Sequence, residues 1–516
     1  MHNWTADPND TSIFAANPGA WPPSPYAEFD LGTLPSVAIP GTTVVGNPIG
    51  TKITIPPPPS DTPSEIPNLK SPPIWEGCHQ FEIGSTPQGN YIEDDYGNFN
   101  VVAVVAGRPT HFWCDNRTLA PQWPNTCVQS PYDANPNPVW HQGEDIPFPA
   151  SLTMTPGYPV ATDISFFQSH IASTLFPHGN LEVLVHFRDK AHIHQRFTPP
   201  GSPGPLGDWD YLATYSLDPK TGSWAGPYGI AVAEDKSITF DGLILKPSML
   251  QLDDGTFLLM VAIGSTLKLF SRDPNQPDPT KWHMKIPDLA LGLPNSVGSL
   301  LSATIFQSIA NKTANRGNLE VLVNVKTTTW VSGKAPQPAK EVAINELRTY
   351  YYDWATASWH GPVTIIPTED SEPISGVSGN PNYVQDETGQ YHITAVVSGS
   401  VWHYWAQFDS VNPYPKGLWH HGIDPEITPS NLPVNAVIDS TSLFASPDMV
   451  EGKGATNLLK LLIHSTFTTL GRKGKVLTSQ TSDELRTFYF DSGNSVWTER
   501  GLITVNGDSI NGVEPF

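Results

Sequence analysis

The chain has 516 residues, 28 of them basic and 50 acidic, for a formal net charge of −22 at neutral pH. That balance repels phosphate backbones and anionic lipid surfaces, so nucleic acid is not an expected partner. Fifty-three prolines, 41 glycines and 16 tryptophans, with only 15% charged residues, describe short strands and many turns and leave little room for helix.

No window reaches the ~20 apolar residues that a membrane helix needs, so no membrane insertion is expected. The opening MHNWTADPND lacks the basic and apolar regions of a signal peptide, which leaves a secreted or a cytoplasmic location open. Sequons at Asn3, Asn9, Asn116 and Asn311 are about what this composition produces by chance. Of three cysteines, Cys114 and Cys127 fall in one repeat and are able to bridge, leaving Cys78 free.

Residues 1–76 fit no repeat. Their segment ITIPPPPSDTPSEIPNLKSPPIW is polyproline-like and predicts an extended arm over the surface. Beyond it two kinds of unit alternate. Short units carry an acidic turn followed by an apolar run: YIEDDYGNFNVVAVV from 91, MLQLDDGTFLLMVAI from 249 and YVQDETGQYHITAVV from 383. Their third strands read RPTHFWCDN, TLKLFSRDP and SVWHYWAQF, and their fourth begin near Trp123 or Trp140, Trp282 and Trp419.

Long units are marked by GNLEVLVHF at 179–187, GNLEVLVNV at 317–325 and the drifted copy NLLKLLIHS at 457–465. ISFFQS, ATIFQS and TSLFAS precede these copies, and LATYSLDPKTGSW, LRTYYYDWATASW and LRTFYFDSGNSVW follow them. Each unit reads as four antiparallel strands, and a four-strand unit returning every ~60 to 80 residues is the mark of a propeller blade. One such sheet cannot bury both of its faces, whereas a ring packs every sheet between two neighbours.

The expectation is therefore an all-β fold: residues 77–516 form one six-bladed β-propeller of four-stranded antiparallel blades, built as three two-blade modules. The C-terminal DSINGVEPF resembles DSEPISGVSG and DKSITFDGLI, which lead into new blades, so the C-terminus is expected to return to the first blade. A seventh blade assembled from both termini is the alternative.

The pairing of GNF or GNLEVLV on one strand with HFW or HYW on the next resembles the repeats of the Psathyrella velutina lectin and the Photorhabdus-type lectins, propellers that bind fucose or N-acetylglucosamine. The matching residues are Gly97, Asn98, Phe99, His111 and Trp113 in the first unit, and Gly389, His403, Tyr404 and Trp405 in the fifth. The unit around Gly255 has Leu269, Phe270 and Ser271 instead. The resemblance implies glycan binding in grooves between blades. Sugar chemistry agrees, because a pyranose lays its C–H face on an indole while its hydroxyls need donors and acceptors. His111 with Trp113, and His403 with Trp405, lie two apart and so share a strand face; Trp402 stands on the same strand. The competing explanation for each tryptophan is that it fills space between blades.

Three insertions of about 20 residues or more leave the LEVLVH-type strands and should share one rim of the ring. They carry His192, His194, Arg196, Lys326, Trp330 and Arg472, a more basic set than the acidic whole. His186, Asn324 and His464 enter them in one register, and a three-fold polar ring follows if their strands carry them toward the axis. No metal or cofactor is expected, since asparagine is a poor zinc ligand and strand-end histidines mostly bond nearby backbone. Glu182 and Glu320, matched by Lys460 in the third copy, are expected to bond a backbone amide or a tryptophan N–H between blades.

The leading functional expectation is a lectin-like propeller whose repeated weak sites give avidity. Its partners would be glycans or another small molecule, and homo-oligomers are possible. The rivals are an enzyme acting on a glycan or a small hydrophobic substrate in the axial funnel, and a protein-binding scaffold. For a glycosidase the fragments WTADPND and SRDP are weak pointers, lying more than 260 residues apart.

Overall fold

A computed structural model describes two short paired strands in the N-terminal arm, Thr43–Val45 and Lys52–Thr54. From residue 89 it describes the rest of the chain, apart from 95–97, 116–139, 150–159, 170–179, 190–208, 294–297, 332–339, 408–418, 426–435 and shorter stretches. All of the regular structure described is β: six sheets, each with an antiparallel core of four strands, and three short two-stranded pairs. The chain is a six-bladed β-propeller.

The first blade is Tyr91–Glu93, Asn98–Val105, Arg108–Asp115 and Trp140–Gln142. The second is Val160–Gln168, Leu181–Asp189, Trp209–Asp218 and Ser223–Gly229, and the third Ser248–Gln251, Phe257–Ile263, Thr266–Arg272 and Leu289–Ala290. The fourth is Gly298–Thr313, Arg316–Val331, Lys340–Asp353 and Ser358–Thr364. The fifth is Val377–Gln385, Tyr391–Val397, Ser400–Ala406 and Trp419–His421. The sixth is Val437–Ser446, Leu458–Lys473, Val476–Asp491 and Val496–Leu502.

Strands with apolar residues on both faces need cover on both sides, and the ring provides it. Six apolar clusters are present, each filling one seam between adjacent blades. The seam from sixth to first blade, for instance, packs Phe444, Leu462 and Leu485 against Tyr91, Phe99 and Phe112. The first strands of successive blades touch one another around the axis. One hydroxyl position stitches each long blade to the next short one there: Ser165 Oγ bonds the Met249 backbone, Thr304 Oγ1 donates to Pro381 O, and Ser442 Oγ accepts from Asn90 N.

After each long blade the chain runs along the outer edge of the next blade before reaching its inner strand. Ala231–Val232 pairs in parallel with Lys281–Trp282, Pro367 bridges Trp419, and Val505 pairs with Trp140. The last of these is the C-terminus doing for the first blade what the other links do for the third and fifth. Gly512 O accepts from Ala106 N at 2.7 Å and Glu514 N donates to Val104 O at 2.9 Å, so the two ends of the propeller are joined by backbone hydrogen bonds. Trp140, not Trp123, opens the fourth strand of the first blade.

Two of the three insertions continue the hairpin of their blade beyond the sheet: Arg316–Val331 stays paired with Lys340–Asp353, and Leu458–Lys473 with Val476–Asp491. They leave from the end of the ring at which the inner strands begin.

Candidate functional site

His111 and His403 occupy one position in the third strands of the first and fifth blades, paired with Val102 and Thr394. Both point into the seam toward the following blade and are buried. His111 stands edge-on to Trp224 of the second blade at 5.7 Å between ring centres, and His403 edge-on to Trp497 of the sixth at 5.6 Å. Neither ring is open to a ligand from outside.

Each is the end of a buried polar chain. In the fifth blade Asp386 Oδ2 meets His392 Nε2 at 3.1 Å, and His392 Nδ1 meets His403 Nε2 at 3.1 Å. In the first blade Asp94 accepts from Asn100 Nδ2 at 2.9 Å, and Asn100 Oδ1 meets His111 Nε2 at 3.0 Å. The third blade has Leu252, Leu258 and Leu269 at the three matching positions, so the chain is replaced as a unit by apolar packing. Burial disfavours the imidazolium, pushing His111 down to about 3 and His403 well below the usual histidine range.

The seams that follow the long blades carry a different group. Glu182, Glu320 and Lys460 sit at one position in the second strands of the long blades. Glu320 Oε1 accepts from Asn311 Nδ2 at 2.8 Å and from Tyr391 of the fifth blade at 3.3 Å. Glu182 feels the charge of Arg272, whose guanidinium lies 4.6 Å from the Phe257 ring centre, and the Lys460 ammonium lies 5.3 Å from the Phe99 ring centre. Burial drives both carboxyls up to about 8. The bond to Glu320 also places the sequon residue Asn311 in the interior.

His186, Asn324 and His464 do share a register, paired with Asp163, Ser302 and Ser440 just after a bulge in each inner strand. They do not form a ring around the axis. They stand on second strands, with the inner strand of each blade between them and the axis, and each is buried in its own blade. His186 lies between Asp163 (Nδ1, 2.9 Å) and Asp210 (Nε2, 2.7 Å). Although burial alone would lower its pKa, the hydrogen bonds and charges of these two carboxylates raise it. His464 Nε2 meets Asp483 at 3.2 Å. The fourth blade has Asn324 with Asn345 two residues before the matching Leu347, again a replacement of the whole pair. Asp210 Oδ2 accepts from Leu243 N at 3.1 Å and Asp483 Oδ2 from Gly512 N at 2.6 Å; both aspartates thus hold the link into the next blade.

Aromatic groups that keep contact with solvent gather at the outer edge of the fifth blade. Trp402 and Trp405 are half-buried, three residues apart and therefore on opposite faces. The Trp405 ring stacks on His420 at 4.6 Å and the Trp402 ring on His421 at 4.7 Å. Glu369 holds His420 Nδ1 at 2.9 Å and accepts from His421 N at 3.1 Å, and Asp424 lies 3.1 Å from His421 Nε2. Those hydrogen bonds, the one from His420 first, bring Glu369 down to about 2. In the first blade the matching Trp113 lies tilted against His141 at 4.6 Å between ring centres and is fully buried.

Of the candidates named from sequence, then, Trp402 and Trp405 share an accessible edge, while His111, His403 and Trp113 lie inside. Sequence reasoning missed His420, His421, Glu369 and Asp424. The run LWHHGID, against KWHMKIP in the third blade, is the signal that points to the histidines. His192, His194 and Arg196 lie outside the described residues, as do Cys78 and Cys127; Trp330 lies on the fourth-blade hairpin extension. Among the described residues no group of three or more His, Cys, Asp or Glu is arranged to hold a metal ion, and no helix is long and apolar enough to cross a membrane.

No protein-family model matches the chain, and no curated protein matches it. Among solved structures it is similar to a protein of unknown function from Dyadobacter fermentans, at a TM-score of 0.31 and 11% identity over 78% of this chain and 96% of that one. It is also similar to a mannose phosphorylase from Leishmania mexicana in complex with phosphate, at a TM-score of 0.25 and 10% identity over 51% of this chain and 66% of that one.

Proposed function

We propose that this propeller is a carbohydrate-binding, lectin-like protein that takes glycans at the outer edge of its fifth blade. The observation that carries the reading is the pair of half-buried indoles, Trp402 and Trp405, each stacked on a histidine whose nitrogen is held by a carboxylate. An indole held in this way loses little rotamer freedom on binding and offers a flat apolar surface to sugar C–H groups. Glu369, ionised by its bonds to the two histidines, and Asp424 supply acceptors for hydroxyls at the rim. The resemblance of the HYW segment to the Psathyrella velutina and Photorhabdus-type lectins supports fucose or N-acetylglucosamine as the first sugars to try.

A glycan array with the intact protein, followed by titration of the best sugar, tests this. Trp405→Ala is expected to weaken binding at least ~10-fold, about 1.4 kcal/mol, with Tm nearly unchanged because the ring is at the edge. An array without binders, or a Trp402→Ala/Trp405→Ala protein that binds as well as the parent, would remove the reading.

A further inference from the structure

Lys246 Nζ donates to Asn90 Oδ1 at 2.7 Å, joining the third blade to the first. The second blade stands between those two in the ring, and both residues come just before the inner strands of their blades, so the bond passes the start of the second blade's inner strand at one end of the axis. Asp163, beside the bulge in the second blade's inner strand, borders this passage, and its charge and that of Lys246 act on each other. Three successive blades thus bring an amide, a carboxylate and an ammonium to one end of the axis. It is the end at which the inner strands begin and from which the long hairpins leave.

Asp163 and Asp210 share His186, and Asp210 also takes Arg188 Nε at 3.0 Å. Among the described residues Asp163 and Asp210 are already bonded to His186 and Arg188, and the hydrogen-bond acceptor of Lys246 is the neutral Asn90 oxygen. The carboxylate at the corresponding bulge of the sixth blade, Asp439, is turned to His464 at 4.0 Å. An ammonium has three protons to donate and is costly to bury without a counter-charge. Burial draws Lys246 down to about 8, against the pull of Asp163. Both side chains keep some contact with solvent, Asp163 at 22%.

We infer that the channel end bounded by Lys246, Asp163 and Asn90 is a binding site for a small hydroxylated carboxylate of the sugar-acid class, its carboxylate on the Lys246 ammonium and a hydroxyl on Asp163. Such a ligand brings an acceptor of full negative charge to the ammonium and gives the exposed edge of Asp163 a donor. The site is separate from the fifth-blade edge and does not depend on it.

Calorimetric titration of the full chain with gluconate, and with glucose as the uncharged control, tests the assignment. Gluconate is expected to bind at least ~10-fold more tightly than glucose and to weaken as salt is raised. Lys246→Met should remove that preference, Asp163→Asn should reduce gluconate affinity by a smaller factor, and Trp405→Ala should leave it unchanged. Equal binding of the two probes, no gluconate binding up to about 100 mM, or an unaffected Lys246→Met protein would overturn it. Should Lys246→Met fail to fold, reductive methylation of the parent decides: saturating gluconate must slow the modification of Lys246, and an unchanged rate refutes the site.

Discussion

The seams that follow the short blades and those that follow the long blades bury comparable apolar clusters but place their polar groups differently. Between first and second, and fifth and sixth blades, a histidine from the third strand enters the seam at the end of a polar chain and meets the next blade's tryptophan edge-on. Between second and third, fourth and fifth, and sixth and first blades, a charged or ionisable chain from the second strand meets the next blade: Glu182 the charge of Arg272, Glu320 the Tyr391 hydroxyl and Lys460 the Phe99 ring. The third-to-fourth seam has neither: leucines stand where the first kind has Asp, Asn or His. A polar chain inside a seam is therefore optional, but its members come and go together, since removing one leaves a buried donor or acceptor unpaired.

Removing the aromatic partner should break a seam of the first kind most severely. Trp497→Ala, opposite His403 and bonded through Nε1 to Ile423 O, is expected to cost about 3–5 kcal/mol in denaturant unfolding. Leu269→His, which puts an imidazole into the apolar seam without its chain, should cost about 1–3 kcal/mol. Adding Leu258→Asn, to imitate the Asn100 and His111 pair, should recover part of that loss in a double-mutant cycle. A purely additive cycle would show that the chain does not act as a unit.

The two kinds of seam also predict opposite pH responses. His111 is held at about 3 in the fold against an ordinary 6.5, so between those values only the unfolded chain takes up the proton. Its stabilisation is complete above pH 6.5 and is lost as pH falls toward 3; His111→Leu should flatten that acid limb. Glu320 is held at about 8 against an ordinary 4.5, so in that window the folded state keeps a proton that the unfolded chain has released. Its contribution is complete below pH 4.5 and lost as pH rises through about 8; Glu320→Gln should flatten the alkaline limb, read as Tm against pH.

Much of the architecture was legible before any coordinates. The two copies of LEVLV and the drifted LKLLI, the acidic turns and the repeated tryptophans mark six four-strand units, because strand alternation and turn chemistry are local properties. The return of the C-terminus was legible from DSINGVEPF, since the other two links show what such a segment does. The site was less so. Spacing two puts His403 and Trp405 on one face, but in a propeller both faces of a blade are covered, so the face does not reveal depth: His403 is buried near the middle of its strand and Trp405 reaches the edge. Asp210, Asn345 and Asp483 stand two residues before Leu212, Leu347 and Leu485 in the three repeats, but that Asp163 shares His186 with Asp210 could not be read until the bulge in the inner strand was known, because one extra residue changes which side chains stand together.

Blade count, alternation of short and long units, and strand direction belong to the linear order of residues, where neighbours within about ten positions decide conformation. What only tertiary structure decided is which polar groups meet across seams and at the end of the axis. Lys246 and Asn90 are 156 residues apart, and no local preference sets their distance; closure of the ring does, by fixing where each inner strand begins.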